Sequence, residues 1–282
     1  MWKPALAVAA VAAPLALGIL GWFRWAARTR ALRTSLESSQ MAAGPRVVGS
    51  GDIERLPAPV QRYLRKVLSQ GAPPITGLRV EHVGQFNLSD AAERWKPFRS
   101  QQQVTTEPPG FVWDASVRLL PGLAVRVHDA YVAGEGILYA ALLGLFPVMS
   151  LRGRHEIAAG QLMRFLAEAA WYPTALLPSQ TVDWTAVDSR SARVTLRDGA
   201  VAVSMRFRFN EEDLIEEVQA DARGRTVGKQ VTPTPWRGRL WNYQQHAGML
   251  VPLEGEVAWL LPEGAKPYWR GRITKLEYQF AK

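Results

Sequence analysis

The sequence predicts a mainly β protein with a few helices (α+β), built on a curved antiparallel sheet or an incomplete barrel with packed helices, plus one N-terminal transmembrane helix. Three observations predict this fold class. A charge-free apolar stretch opens the chain, apolar and polar residues alternate along many short segments after residue 78, and Gly, Pro, Asp and Asn separate those segments. Alternation with a period of two is typical of strands that bury one face.

The apolar stretch runs from Pro4 to Phe23, twenty residues without a charged side chain. A helix of that length spans roughly 30 Å, the thickness of the hydrocarbon core of a bilayer. Arg24, Trp25 and Arg28 follow at once and leave no small-residue cleavage site, which favours an uncleaved anchor over a signal peptide. We therefore expect this stretch to hold the protein in a membrane with a single pass.

The net charge of +9 is unevenly distributed. Residues 1–46 hold six basic residues and one acidic residue, which leaves +4 for the other 236 positions. Proteins that bind nucleic acid cluster their charge on one face, so no nucleic-acid partner is predicted. The basic residues after the anchor favour a cytoplasmic domain, whereas the fold resemblance given below favours a periplasmic or extracytoplasmic one, and the side stays open.

Three segments are predicted: an anchor at 1–28, a stalk or linker at 29–51 that is rich in Ser, Ala and Gly, and a single β-rich globular domain at 52–282. The domain opens with an amphipathic helix that starts at Asp52 or Pro57 and ends before Gly71. Strand-like runs are predicted at 78–88, 111–117, 123–127, 182–187, 192–196, 201–209, 214–220, 238–243, 256–260 and 270–280.

Two other segments interrupt the strands. Residues 159–171 have the spacing of a helix, which Pro173 stops. Gly136–Met149 is apolar but too short and broken to span a bilayer. It is either a buried strand or a hydrophobic loop that covers the mouth of a cavity.

Four strings of residues carry a resemblance to a known family: PPGFVWDA at 108–115, WYPTALLP at 171–178, PTPW at 233–236 and PYWRG at 267–271. They resemble an uncharacterised bacterial family of membrane-anchored domains of unknown function, over about residues 56–280, and this resemblance implies no activity. The architecture also looks like the lipoprotein-carrier (LolA/LolB-like) folds. That second resemblance implies an unclosed barrel whose apolar concave face holds lipid chains.

Aromatic residues with charged neighbours are the most informative candidates for a site. Aromatic walls with a few polar groups are the usual composition of a ligand pocket, although a Trp-rich core with paired charges at its edge explains the same pattern. The predicted ligand-binding residues are Trp113, Asp114, Asp129, Tyr131, Glu168, Trp171, Tyr172, Trp236, Tyr268, Trp269 and Arg270.

Acid–base chemistry has a second set of candidates: Asp129, Glu135, His128 and Glu168. His128 and Asp129 are neighbours in a predicted strand and point to opposite faces, so they cannot easily form one hydrogen-bonded pair. Solvated or loop-capping polar residues are the plainer interpretation. With no cysteine and four scattered histidines, the sequence predicts no metal site and no cofactor.

Three functions follow, in this order. The first is a membrane-tethered binding or carrier module for an apolar or lipid-like ligand. The second is an envelope module that interacts with other proteins. The third is an acid–base enzyme that uses the second set of candidates.

Overall fold

The structure of this protein, a computed structural model, describes residues 3–41, 49–89, 93–228 and 230–281. Within these ranges, the side chains of residues 3–15 and of Ser50 lie outside the description. The described helices are α1 (Lys3–Ser39), α2 (Ser50–Glu54), α3 (Ala58–Val67) and α4 (His155–Ala167). Two short 3-10 turns, Glu168–Trp171 and Pro173–Leu176, follow α4.

Thirteen strands account for most of the remaining chain. They are β1 (Ile75–Asn87), β2 (Trp95–Thr105), β3 (Gly110–Leu120), β4 (Leu123–Val132), β5 (Glu135–Leu142), β6 (Phe146–Arg152), β7 (Val182–Asp188), β8 (Ser191–Asp198), β9 (Val201–Phe209), β10 (Ile215–Val227), β11 (Gln230–His246), β12 (Met249–Leu261) and β13 (Gly264–Phe280). The predicted mainly β class is confirmed.

All the strands form one antiparallel sheet in the order β6-β5-β4-β3-β2-β1-β13-β12-β11-β10-β9-β8-β7. Two meanders, β1–β6 and β7–β13, are joined where β1 pairs with β13, for example at Val80 opposite Leu276. Among the described strands, β6 and β7 each pair with one neighbour only, so the sheet is open. The sheet curves because α4 contacts β4 and β5 on one side and β9 and β10 on the other. The predicted open, curved antiparallel sheet is confirmed.

The concave face carries the core. Inward-facing residues of β1, β3 and β9, such as Leu78, Phe111 and Phe207, are buried with the apolar face of α4. Residues of α4 are buried on several sides, including Gln161 and Leu162, because the sheet surrounds this helix. The helix predicted near 159–171 therefore occupies the middle of the curved sheet, with Arg164 lining one neighbouring cavity and Phe165 another.

The helix α1 differs from what the sequence predicts for the N-terminal segments. Among the residues that the structure describes, no helix is long and apolar enough to cross a membrane, and the part of the predicted anchor before residue 16 lies outside the described side chains. The first residues of the predicted stalk, up to Ser39, continue α1 instead of forming a linker. They do so because the helix packs on the outer face of the sheet, where Leu36 is fully buried.

The apolar stretch Gly136–Met149 forms strands, not a loop over a cavity. Most of it belongs to β5, which pairs with β4, and the remainder belongs to β6 at the edge of the sheet. β5 is partly buried, whereas six of the seven residues of β6 are exposed. The reason is that an edge strand has neither a second neighbour nor a covering element on its outer side.

Candidate functional site

The concave face of the sheet encloses a cavity of about 180 Å³ beside α4. Its walls come from both meanders, because the β1–β13 pairing brings the two halves of the sheet together. The aromatic part of the lining consists of Phe86, Trp113, Trp171, Trp236, Tyr268 and Trp269. Aliphatic side chains complete it, among them Val127, Leu138 and Val257. Such a lining is suited to an apolar ligand.

One side of the cavity carries a largely buried ionic network centred on Arg164 of α4. Its Nη1 donates to Oδ2 of Asp129 at 2.7 Å, and its Nε donates to Oε1 of Glu168 at 2.7 Å. The amide of Gln102 joins the network, accepting from Arg164 Nη2 at 3.1 Å and donating to Glu168 Oε2 at 2.6 Å. Gln161 donates to the other oxygen of Asp129. Two carboxylates therefore share one guanidinium.

The position of the network explains its electrostatics. Burial opposes the charge of Arg164, but Glu168 and Asp129 outweigh burial and raise the pKa of the guanidinium above its ordinary value. The guanidinium also lies over the rings of Phe111 and Trp113, 5.0 Å and 4.8 Å from their centroids, a favourable cation–π geometry. The network is thus a fixed polar boundary of a cavity whose lining is mainly apolar.

A second polar group lies on the opposite wall. The hydroxyl of Tyr268 accepts a hydrogen bond from Nε1 of Trp236 at 2.9 Å and one from Nη1 of Arg223 at 3.4 Å. The guanidinium of Arg223 lies 4.9 Å from the Trp236 ring centroid, and Trp259 stacks on Tyr268 with the centroids 5.5 Å apart. These contacts hold both cavity-lining rings in one orientation.

Two donors of the cavity wall have no partner among the described residues. They are the indole N–H groups of Trp113 and Trp171, both buried. A buried N–H without an acceptor is uncommon, because it loses its bond to water without replacement. Both side chains line the cavity, but neither nitrogen atom is itself exposed to it.

His82 lies behind this wall, with its ring centroid 5.1 Å from that of Trp171. Burial and, to a lesser extent, Arg164 lower the pKa of His82 to about 3. Its Nδ1 lies 3.3 Å from Ser100 Oγ, and within the described part of the chain its Nε2 has no partner. The imidazole is therefore neutral at physiological pH.

The structure brings seven of the predicted ligand-binding residues to the cavity: Trp113, Asp129, Glu168, Trp171, Trp236, Tyr268 and Trp269. The other four lie elsewhere. Asp114 is on the outer face of the sheet, where it accepts hydrogen bonds from Trp25 Nε1 and Thr29 Oγ1, both at 2.9 Å. It lies there because it alternates with Trp113 along β3.

The remaining three residues each have a partner away from the cavity. Tyr131 donates to Asp198 at 2.7 Å, and burial together with this bond raises the pKa of its hydroxyl. Tyr172 is fully buried and donates to a backbone oxygen of α4. Arg270 is half-exposed, with its guanidinium 4.5 Å from the Trp95 ring centroid and 2.6 Å from Glu256.

The acid–base candidates do not form one group. Asp129 and Glu168 meet at Arg164, but each is already held in an ion pair. His128 points to the outer face, away from Asp129, and Glu135 forms an exposed pair with Arg152 at 2.7 Å. Among the residues that can be described, no group of three or more His, Cys, Asp or Glu could hold a metal ion.

Sequence reasoning missed the residue at the centre of the ionic network. Arg164 was not among the candidates, although a signal was available. Gln161, Arg164 and Glu168 recur at helical spacing in a segment that is otherwise apolar, and polar side chains on one face of a buried helix must find partners. Arg223 and His82 carried no comparable local signal.

One known protein family covers most of the chain. A sequence model described as "Family of unknown function (DUF6920)" matches residues 54–278. No curated protein matches the chain.

Several solved structures are similar to it. A LolA superfamily protein from Nitrosomonas europaea has 12% identity and a TM-score of 0.43, with 82% of this chain and 94% of that chain covered. A DUF1329 family protein from Desulfovibrio piger has 9% identity and a TM-score of 0.31, covering 73% and 86%. A β-barrel-like DUF1849 protein from Brucella abortus has 8% identity and a TM-score of 0.28, covering 73% and 99%.

Proposed function

The chain belongs to the DUF6920 family of unknown function, and we propose that it is a membrane-tethered binding module for an apolar, acyl-chain-like ligand. The ligand would lie in the cavity between α4 and the concave face of the sheet. The tether would be the apolar stretch at residues 4–23, whose support is the charge-free sequence and its length.

One observation carries the proposal: the cavity combines aromatic walls with two indole N–H groups that have no partner in the described part of the chain. The aromatic and aliphatic lining favours a hydrocarbon chain, since every CH₂ that it buries is stabilised by about 0.8 kcal/mol. We expect the ring of Trp113 or Trp171 to turn on binding and to donate its N–H to an oxygen atom of the ligand. An acyl chain with its carbonyl or carboxyl group has both features.

The size of the cavity limits the ligand. Its volume of about 180 Å³ is below the usual range of roughly 300–1,000 Å³ for small-molecule pockets. We therefore expect a single acyl chain, partly inserted, and not a complete diacyl lipid. Because Leu88 lines the cavity and is exposed, the opening for the rest of the molecule would lie beside it.

The ionic network would set the chemistry at one end. Asp129 and Glu168 carry two negative charges, and Arg164 carries one positive charge. The network would therefore repel a ligand whose second anionic group lay beside it. Arg223 on the opposite wall would tolerate such a group. We expect neutral or singly charged acyl compounds to bind best.

The test uses the full chain in detergent. Native mass spectrometry would look for a retained lipid, and titration with cis-parinaric acid would report energy transfer from the cavity tryptophans. Val127→Phe should fill part of the cavity, because Val127 lines it, whereas Val187→Phe places the same side chain at an exposed position of β7.

We expect saturable binding to the wild-type chain and to Val187→Phe, and roughly tenfold weaker binding to Val127→Phe, since the added ring competes for the apolar volume. A wild-type chain with no retained lipid and no saturable signal would refute the proposal. Equal affinity of both variants for cis-parinaric acid would show that the ligand binds outside this cavity.

A further inference from the structure

An apolar surface lies close to one end of the cavity and is not used by the proposed ligand site. It consists of Trp22 and Phe23 on α1, Leu120 at the end of β3, and Phe146, Val148 and Met149 on β6. Their exposed fractions run from 37% for Met149 to 60% for Phe23. We refer to these six residues as the apolar rim.

The helix and the strand parts of the apolar rim are joined by direct packing. Gly21 of α1 lies against the turn between β5 and β6 so closely that a Cβ there would overlap the carbonyl oxygen of Leu143. Gly144 in the same turn packs on the backbone of α1 at Gly21. Trp22 and Phe23, which follow Gly21 on α1, therefore lie directly beside the turn that leads into β6.

The apolar rim also adjoins the cavity. Val125 lines the cavity and is paired with Leu142 across β4 and β5, and Leu142 is paired with Phe146 across β5 and β6. Two strand pairings thus connect the cavity wall with the first exposed residue of β6. Leu120 lies at the same end, where β3 turns into β4.

Basic residues outnumber acidic ones around the apolar rim. The segments 16–37, 114–129 and 135–152, which contain or flank it, hold seven basic residues and four acidic ones, and the acidic Glu135 pairs with Arg152. The basic residues are Arg24, Arg28, Arg30, Arg33, Arg118, Arg126 and Arg152. Basic side chains around exposed apolar and aromatic residues are typical of surfaces that bind anionic membranes.

We infer that the apolar rim is a docking surface for an anionic phospholipid bilayer, and that it holds the opening of the cavity against the lipid. The inference deepens the proposed function, because it gives the route by which an acyl chain would reach the cavity. Insertion would stop at the level of the headgroups. None of the described strands pairs with the outer edge of β6, and unpaired backbone groups are not tolerated in the hydrocarbon core.

A bilayer fits this surface better than a protein partner for two reasons. The excess of arginine would be unfavourable in a closed protein interface unless acidic groups of the partner met it, whereas a fluid anionic surface supplies counter-charges at any position. In addition, Leu17, Ile19 and Leu20, which precede Trp22 on α1, are also exposed. Apolar surroundings are therefore needed beyond the rim itself.

The chain contains no cysteine, so single-cysteine variants of the full chain can carry an environment-sensitive NBD fluorophore. We would label Phe146→Cys and Val148→Cys in the apolar rim, and Val187→Cys as the matched control. Val187 is equally an exposed strand residue, and it lies near α3, since the following turn accepts a hydrogen bond from Arg62. Nanodiscs of phosphatidylcholine, with or without phosphatidylglycerol, would hold the labelled proteins.

We expect roughly a twofold rise in emission at both rim positions, quenching by doxyl-labelled lipid and protection from iodide, because the label enters the interface. The control label should stay accessible to iodide. Arg118→Glu should remove the extra emission that phosphatidylglycerol causes at Val148, whereas Arg190→Glu, next to the control site, should not.

Two results would overturn the inference. Rim labels as accessible to iodide as the control would show that the surface faces water. Labels protected from iodide but not quenched by lipid would show that it faces protein instead. The ligand proposal is tested separately, since Val148→Cys leaves the cavity lining intact and should still bind cis-parinaric acid, and Val127→Phe should not alter the rim labels.

Discussion

The indole ring of Trp25 on α1 stacks on the imidazole ring of His128 on β4, with the ring centroids 3.9 Å apart and the planes 11° from parallel. Asp114 and Thr29 complete this contact. Thr29 Oγ1 lies 2.7 Å from His128 Nε2 and donates to Asp114, which also accepts from Trp25 Nε1. One aromatic stack and three polar contacts thus fix the helix on the outer face of the sheet.

This contact predicts that Trp25 stabilises the fold. Trp25→Ala should lower the free energy of unfolding by about 3–5 kcal/mol, because it removes a buried ring and leaves a cavity. Trp22→Ala, three residues earlier on the same helix, is the matched control, since Trp22 is exposed and should change stability by about 0.5 kcal/mol or less. Denaturant unfolding in detergent measures both. Similar effects of the two variants would show that α1 does not dock as described.

A second prediction compares the pair of Arg164 with Asp129 and the pair of Arg152 with Glu135, which have the same N···O distance of 2.7 Å. Arg164→Met should destabilise the protein by about 3–5 kcal/mol, because it leaves the carboxylates of Asp129 and Glu168 buried without a cation. Arg152→Met breaks the exposed pair with Glu135 and should change stability by about 1 kcal/mol or less. Thermal and denaturant unfolding compare the variants. Replacing all three members of the buried network by apolar residues should restore most of the loss.

Two buried histidines predict a pH dependence. Burial lowers the pKa of His82 to about 3 and that of His128 to about 4, the latter against the opposing effect of Asp114. Between about pH 4 and pH 6.5 the unfolded chain binds a proton at each position and the folded chain does not. Stability should therefore be complete above pH 6.5 and fall as the pH is lowered, by about 1.4 kcal/mol per pH unit for each histidine.

Denaturant unfolding at several pH values measures this slope. His82→Gln and His128→Asn should each reduce it by the contribution of one group, whereas His155→Gln, at an exposed position, should leave it unchanged. If the wild-type slope between pH 4 and 6.5 is flat, the two imidazoles do not stay neutral on folding.

The close approach of Gly271 to Trp269 predicts an effect on ligand binding. A Cβ at Gly271 would overlap the indole of Trp269, which lines the cavity. Gly271→Ala should therefore displace the ring and weaken the binding of cis-parinaric acid by roughly tenfold, an effect of the size expected from overpacking. A Cβ at Gly51 would meet no atom within contact distance, so the Gly51→Ala variant should bind cis-parinaric acid as the wild type does. Tryptophan emission should shift only in the first variant.

Much of the fold could be predicted because the strands carry their pattern locally. Phe111, Trp113 and Ala115 alternate with residues of the outer face, and the period of two decides which of them become buried. The same alternation correctly separates His128 from Asp129. The aromatic lining was partly predictable for a related reason, since a Trp in an alternating strand, such as Trp113, points to the buried face.

The predictions that differed from the structure depended on contacts between distant segments. Arg164 obtains its role from Asp129 and Gln102, which lie 35 and 62 residues away in the sequence. Asp114 was assigned to the ligand site on the basis of its neighbour Trp113, but it faces α1 on the other side of the sheet. The segment 29–39 looked like a linker because its own composition says nothing about the surface that covers Leu36.

The sequence by itself determined the class of the protein: its alternating strands, its breaks and its apolar N-terminal stretch follow from local periodicity and from the length of charge-free chain. Only the tertiary structure decided that β1 pairs with β13, that α4 fills the middle of the curved sheet, and that a cavity remains beside Arg164. The physical reason is that strand pairing and burial couple residues more than two hundred positions apart, and no local pattern records which distant partner satisfies a buried charge or an indole N–H.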